Sequence, residues 1–201
     1  MGRRTTRILA AALFAVLLVA LLAPEAGGSS VVTRRGFTCT VVGTPMGEPL
    51  HGTPGRDVIC GLGGNDDLRG LGGNDVLLGG NGGDFLKGGA GDDLARGAEG
   101  RDTLIGDGGD DRLFGGGGID DGTGLIGDDL LNGQGGNDST LDGGPSGQDI
   151  VRGGPGNDAC VATVDGAGDD VASGGPGNDT SFTDPGDVRH TLEHEASCFA
   201  E

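Results

Sequence analysis

An aspartate recurs every nine residues, ten times in succession: Asp57, Asp66, Asp75, Asp84, Asp93, Asp102, Asp111, Asp120, Asp129 and Asp138. A glycine stands two residues before each, from Gly55 to Gly136, and another stands five before each, from Gly52 to Gly133. A small or branched apolar residue usually follows by two: Ile59, Leu68, Leu77, Leu86, Ala95, Leu104, Leu113 and Leu131. Carboxylates held in such a register invite cations. If the chain stacks them at the spacing of neighbouring strands, about 4.8 Å, each adjacent pair repels by roughly 3 kcal/mol at an effective dielectric near 20. A divalent ion between them turns that repulsion into attraction. Carboxylates with turn carbonyls form an all-oxygen cage, which suits a hard ion of flexible coordination. That favours Ca²⁺ over Mg²⁺, which keeps its waters and demands a strict octahedron, and over Zn²⁺, which prefers nitrogen and sulfur.

The elements that must position these carboxylates follow from the period. A nonapeptide of the form G-x-x-G-x-D-x-U-x is a sequence form of parallel β-helices and rolls. The glycines permit tight turns at positive φ. The three residues x-U-x are expected to form a short strand whose middle side chain points inward. Two nonapeptides complete one coil, so residues eighteen apart stack. Asp57, Asp75, Asp93, Asp111 and Asp129 then line one edge, and Asp66, Asp84, Asp102, Asp120 and Asp138 the other. An acidic Gly/Asp linker would share this composition, but disorder requires no register. Without calcium the chain is expected to be largely disordered.

The segments Gly61-Leu62-Gly63-Gly64-Asn65-Asp66-Asp67-Leu68-Arg69 and Gly79-Gly80-Asn81-Gly82-Gly83-Asp84-Phe85-Leu86-Lys87 resemble the RTX, or haemolysin-type, calcium-binding repeats. The resemblance covers roughly Gly43 to Asp187. It implies a right-handed parallel β-roll, with aspartate carboxylates and carbonyls of the glycine-rich turns ligating several calcium ions. Beyond Asp138 the register slips: Asp149 follows by eleven residues, Asp158 by nine, Asp170 by twelve and Asp179 by nine. Each keeps a glycine two before it (Gly147, Gly156, Gly168, Gly177), so these four aspartates join the expected ligand set as repeats with loop insertions. The overall pattern is also similar to short secreted calcium-binding proteins of high-GC Gram-positive bacteria.

The expected fold class is all-β, a right-handed parallel β-roll (β-solenoid) with short terminal caps, the C-terminal one a candidate helix. The expected divisions are 1–28, a signal peptide; 29–51, a cap and degenerate first repeat; 52–141, regular repeats; 142–183, irregular repeats; and 184–201, a C-terminal cap. Phe37, Val41 and Val42 are candidates for a first strand covering the open end of the roll. In the degenerate repeat Glu48 lies nine before Asp57, Leu50 takes the inward position, and Met46 replaces a glycine. Ala95, Gly122 and Thr140 fill inward positions poorly, with Leu94, Leu125 and Leu141 available to compensate, which predicts a loosened core near Gly115 to Gly124. Cys160 and Ser181 are expected at inward positions among the irregular repeats.

Arg3, Arg4 and Arg7 precede the apolar run Ile8 to Ala23, and Ala26-Gly27-Gly28 offers small residues for cleavage, the form of a secretory signal. A retained anchor is the alternative, because sixteen apolar residues fall just short of a comfortable span. The chain carries a net charge of −18, with no Trp or Tyr, six Phe and 48 Gly. It cannot bury a large conventional core, and it repels nucleic acid and anionic membranes when no cation bridges them. Four cysteines in an exported chain favour disulfides. Three pairings exist, and sequence locality favours Cys39–Cys60 and Cys160–Cys198.

His190-Thr191-Leu192-Glu193-His194 matches the H-x-x-E-H pattern of some zinc peptidases. The plainer reading is an amphipathic cap helix over Asp187 to Ala200, because no third ligand or protease domain accompanies the motif. No G-x-S-x-G, P-loop lysine or H-E-x-x-H motif occurs, so no catalytic residue is assigned. The expected protein is a secreted, extracellular, calcium-binding structural protein that is not an enzyme. Its expected partners are calcium ions, with no nucleic acid and no membrane after signal cleavage. An alternative is a calcium-dependent adhesion module for cell-wall or extracellular polysaccharide, although the net charge and the lack of Tyr and Trp lend it little.

Overall fold

The computed structural model describes residues 33–159, 161–163, 170–183, 188–190 and 194–195, with side chains between Arg35 and Thr180. The expected signal peptide lies outside the described residues, as do Cys160 and Cys198 and with them the second expected disulfide.

Two parallel sheets of nine strands take strands alternately from the chain. The first sheet runs through Val41–Val42, Val58–Gly63, Val76–Asn81, Leu94–Gly100, Arg112–Gly118, Leu130–Gly136, Ile150–Arg152, Val171–Ser173 and Val188–His190. The second runs through Pro49–His51, Asp67–Gly72, Phe85–Ala90, Thr103–Gly108, Asp121–Ile126, Thr140–Asp142, Val161–Thr163, Thr180–Thr183 and His194–Glu195. The result is an all-β solenoid, with no helix among the described residues. The ladders pair residues eighteen apart, Ile59 with Leu77 and Leu68 with Leu86, as two nonapeptides per coil require.

The core is a file of single side chains from each sheet. Ile59, Leu77, Ala95, Leu113, Leu131, Val151 and Ala172 meet Leu50, Leu68, Leu86, Leu104, Leu141 and Val161 in one buried cluster. Most strands are longer than the expected three residues. In Asp67–Gly72, both Leu68 and Gly70 point inward and are buried. The inward place beside Gly70 is taken by the carboxylate of Asp75, so the strand continues past the aliphatic residue without a second core side chain. At Gly122 the core is indeed thin: a cavity of about 10 Å³ opens among Leu104, Leu113, Leu131 and Leu141.

The loop insertions move two expected inward positions by one residue. Leu141, not Thr140, pairs with Gly122 and is buried. Val161, not Cys160, pairs with Leu141 in the next coil and is fully buried. An aliphatic side chain is available one place further on in each case, and burying it outweighs keeping the strict count.

Both ends differ from expectation. Thr33–Arg34 and Phe37–Thr38 form an antiparallel hairpin. It covers part of the outer face of the first sheet, where Phe37 and Cys39 pack with Val58, Cys60, Leu62, Val76, Leu78 and Leu94. The disulfide Cys39–Cys60 fastens it there, as sequence locality predicts. Val41 alone of the expected capping residues packs on the main core. At the C-terminus, Val188–His190 and His194–Glu195 are strands that pair with Val171–Ser173 and Thr180–Thr183, in place of the expected helix. Each continues an existing ladder and satisfies its backbone there, a gain that outweighs a weak amphipathic helical pattern.

Candidate metal centre

Asp111 shows how each expected ligand is held. It lies at a turn between coils and is 1% exposed. Its Oδ1 accepts a hydrogen bond from the backbone N–H of Asp93, one coil back, at 2.8 Å. Its Oδ2 is buried and accepts no hydrogen bond. Gly106, five residues earlier, forms the wall of this pocket. A Cβ there would stand 2.9 Å from Asp111 Cγ and 2.7 Å from the carbonyl oxygen of Gly124, and closer still to Oδ2. This glycine is required by close approach rather than by its φ, which is not in the left-handed region. The glycine two before the aspartate answers to a different constraint: Gly109 has φ +124°.

The arrangement repeats along both edges. The N–H to Oδ1 chain joins Asp57, Asp75, Asp93, Asp111, Asp129, Asp149 and Asp170 on one edge. It joins Asp66, Asp84, Asp102, Asp120, Asp138, Asp158 and Asp179 on the other. All fourteen expected ligands therefore stand in two rows. The irregular members keep register through coils of twenty and twenty-one residues. Beyond the ligand rows, the backbone zipper through Oδ1 was not foreseeable from spacing alone, because it depends on which way each carboxylate turns.

The second oxygens define the chemistry. Oδ2 of Asp66, Asp75, Asp84, Asp93, Asp102, Asp111, Asp120, Asp129, Asp138, Asp158 and Asp179 is buried without a hydrogen-bond partner. A buried, unpartnered carboxylate oxygen is costly. Burial pushes the carboxyls of Asp84, Asp93, Asp129, Asp138 and Asp158 up to about 6, and those of Asp102 and Asp111 up to about 7, with nearby carboxylates adding repulsion, row neighbours in every case but Asp129, where they are Asp110 and Asp128. Burial also raises Asp66, Asp75 and Asp120. Among the described residues no group of three or more His, Cys, Asp or Glu side chains is placed to hold an ion. A cation would have to complete its shell with backbone carbonyls such as that of Gly124, which excludes a thiolate or imidazole site and fits a hard, oxygen-seeking ion.

Asp57 departs from the row. Its Oδ2 accepts hydrogen bonds from Thr53 N–H at 2.6 Å and Thr53 Oγ1 at 2.8 Å, and its Oδ1 from Thr40 Oγ1 at 3.1 Å. Burial acts to raise its carboxyl, but these donors outweigh it and hold the group below the ordinary range. Thr53 thus supplies donors to the oxygen that stands without a partner in most of the row. The degenerate repeat keeps the same plan: Glu48 donates its N–H to Asp66 Oδ1 at 2.9 Å and accepts a bond from Thr44 N–H. Thr40 and Thr53 carry no distinctive sequence signal, since Thr44 and Thr103 place hydroxyls at the corresponding positions of other turns.

The sequence model of the RTX calcium-binding nonapeptide repeat matches four stretches, residues 43–77, 51–86, 87–121 and 164–187, which together cover just over half of the chain. The chain belongs to this family of calcium-binding repeats. No curated protein and no solved structure matches it.

The RTX roll does not assemble the H-x-x-E-H residues as a helix would. His190 lies in a strand of the first sheet and His194 in a strand of the second.

Proposed function

We propose that this RTX chain is an exported, non-catalytic structural protein whose roll forms when calcium fills the turns along its two edges. The carrying observation is the row of buried Oδ2 atoms that accept no hydrogen bond, each walled by a glycine and most, as at Asp84 and Asp111, also by a backbone carbonyl. Asp66, Asp75, Asp84, Asp93, Asp102, Asp111, Asp120, Asp129, Asp138, Asp149, Asp158, Asp170 and Asp179 would hold the ions with turn carbonyls; Asp57 would be held by Thr53 instead. Calcium supplies the positive charge that lets these carboxylates ionise while buried. Because the sites scarcely exist in an unfolded chain, ion binding energy becomes folding energy. The chain's own contribution is to orient: as each coil forms, Oδ1 of its aspartate is fixed on the backbone of the preceding coil, which turns Oδ2 towards the ion.

The non-catalytic reading is supported by the engagement of the carboxylates in periodic backbone bonds, and by the separation of His190 and His194 onto different sheets. Export is supported by the basic and apolar N-terminal stretch and by the Cys39–Cys60 disulfide. Native mass spectrometry across a calcium series tests the assignment. Several ions should bind, and Asp84→Ala and Asp102→Ala should each lower the count and raise the concentration required. Unchanged stoichiometry and midpoint in both variants would overturn it.

A further inference from the structure

The roll is acidic as a whole, yet its outer faces differ in charge. Outward positions of the second sheet carry Asp67, Asp107, Asp121 and Asp142, with the cations Arg69 and Lys87. Both of those cations are paired, Arg69 with Asp67 at 2.8 Å and Lys87 with Asp107 at 2.9 Å. Outward positions of the first sheet carry Arg96, Arg112 and Arg152, and the hairpin adds Arg35 at the border. Among the described residues these four arginines make no ion pair, and Glu99 is the carboxylate that borders them.

Beyond the hairpin this face is a groove along the roll axis. A cavity of about 310 Å³ lies among Arg35, Arg96, Glu99, Phe114 and Gln134. A second, of about 490 Å³, lies among Asn132, Gln134, Arg152, Pro155 and Ser173. They share Gln134 and Gly135 and so run into each other. The Arg96 guanidinium lies 4.7 Å from the centre of the Phe114 ring, and its Nε is buried with no hydrogen-bond partner. Arg96, Phe114, Asn132 and Arg152 occupy successive rungs of one ladder. Three steps of about 4.8 Å put Arg96 and Arg152 about 14 Å apart.

We propose that this groove binds a linear glycan bearing regularly spaced anionic groups, carboxylate or sulfate, laid along the roll axis. Guanidinium forks, that of Arg96 held on the Phe114 ring, suit such anions, and the amides of Asn132 and Gln134 suit sugar hydroxyls. The floor is glycine-rich, including Gly116, Gly117, Gly135 and Gly154, and offers no deep apolar pockets for the side chains of a peptide. One aromatic ring gives no stacking platform for successive bases. The proposal rests on the calcium reading: ions along the edges would neutralise the aspartate rows, leaving the arginines to dominate the field within a Debye length of about 8 Å at physiological salt.

The test uses the calcium-loaded protein, its fold first verified by circular dichroism, and isothermal titration with defined oligosaccharides. A hyaluronan decasaccharide supplies carboxylates, a heparin decasaccharide supplies sulfates, and a dextran oligomer supplies neither. Binding of at least one anionic oligomer and none of dextran is expected. Arg152→Gln, at an exposed position, should weaken it about tenfold, and Arg96→Gln with Arg152→Gln further, as loss of charged hydrogen bonds implies. Arg69→Gln on the other sheet should leave it unchanged. The proposal is overturned if the calcium-folded protein binds neither anionic oligomer, if Arg152→Gln binds as tightly as the parent, or if polyglutamate or an oligonucleotide binds better than either glycan. Absence of any calcium-induced fold would instead sink the calcium reading, and this one with it.

Discussion

Replacing Asp111 with asparagine should move the calcium-free and calcium-bound proteins in opposite directions. In the calcium-free roll the carboxyl of Asp111 is held up at about 7 by burial and by its row neighbours, against an ordinary 3.8. Ionising it at pH 8 therefore disfavours the folded state by about 4 kcal/mol. An asparagine keeps the Oδ1 acceptor used by Asp93 N–H and puts an N–H donor where Oδ2 had no partner, beside the carbonyl of Gly124. The variant should fold more readily in chelator at pH 8. Folding forced by trimethylamine oxide and followed by far-ultraviolet circular dichroism measures this. The gain should shrink towards zero at pH 4, where the parent carboxyl is protonated. With calcium the order reverses, because the ion loses a charged ligand, and the variant should need more calcium to fold. A variant less stable than its parent in chelator at pH 8, or one with an unchanged calcium midpoint, would refute the reasoning.

Other outcomes follow from the same geometry. The raised carboxyls bind protons more readily in the folded than in the unfolded state, so their contribution to calcium-free stability is fully present below about 3.8 and is lost as pH rises through 6 to 7. Chelated protein should accordingly gain β signal as pH falls from 8 to about 4, while the calcium midpoint should rise on acidification because protons compete for the same oxygens. Gly122→Ala should stabilise the calcium-bound roll by about 0.5–1 kcal/mol in chemical denaturation, because the unfolded chain loses freedom and the Leu141 methyl group, 3.3 Å from the new Cβ, has the small core cavity to give way into. Gly106→Ala should instead abolish calcium binding at its turn, seen as a lost ion in native mass spectrometry, since the new Cβ occupies the space beside Oδ2. Thr53→Val should cost about 1 kcal/mol in denaturant unfolding by removing a hydroxyl donor from Asp57. That cost should be similar at all calcium concentrations that fold the protein.

The ligand rows were legible in the sequence because period and coil are commensurate: eighteen residues return Asp93 to Asp75 whatever lies between. Insertions did not hide Asp149 and Asp158, since their turn glycines mark them. They did hide the core residue beside Cys160. An extra residue can be accommodated on either side of a turn, and Val161 shows which side only once its ladder partner Leu141 is known. Thr53 was unreadable for another reason. A hydroxyl four residues before an aspartate is commonplace, and only its 2.8 Å contact with Asp57 distinguishes this turn from the rest of the row. The expected C-terminal helix failed where free strand edges competed for the same residues. The cationic groove was obscured by a net charge of −18, which averages over two outer faces that the chain keeps apart by sending successive strands to alternate sheets.

The central claim, that calcium drives folding of the roll, is tested most directly by far-ultraviolet circular dichroism of the oxidised protein at pH 7.5, titrated with calcium and, in parallel, with magnesium. A cooperative gain of β signal with calcium and none with magnesium is predicted. A roll fully formed in chelator and unmoved by calcium would contradict the account.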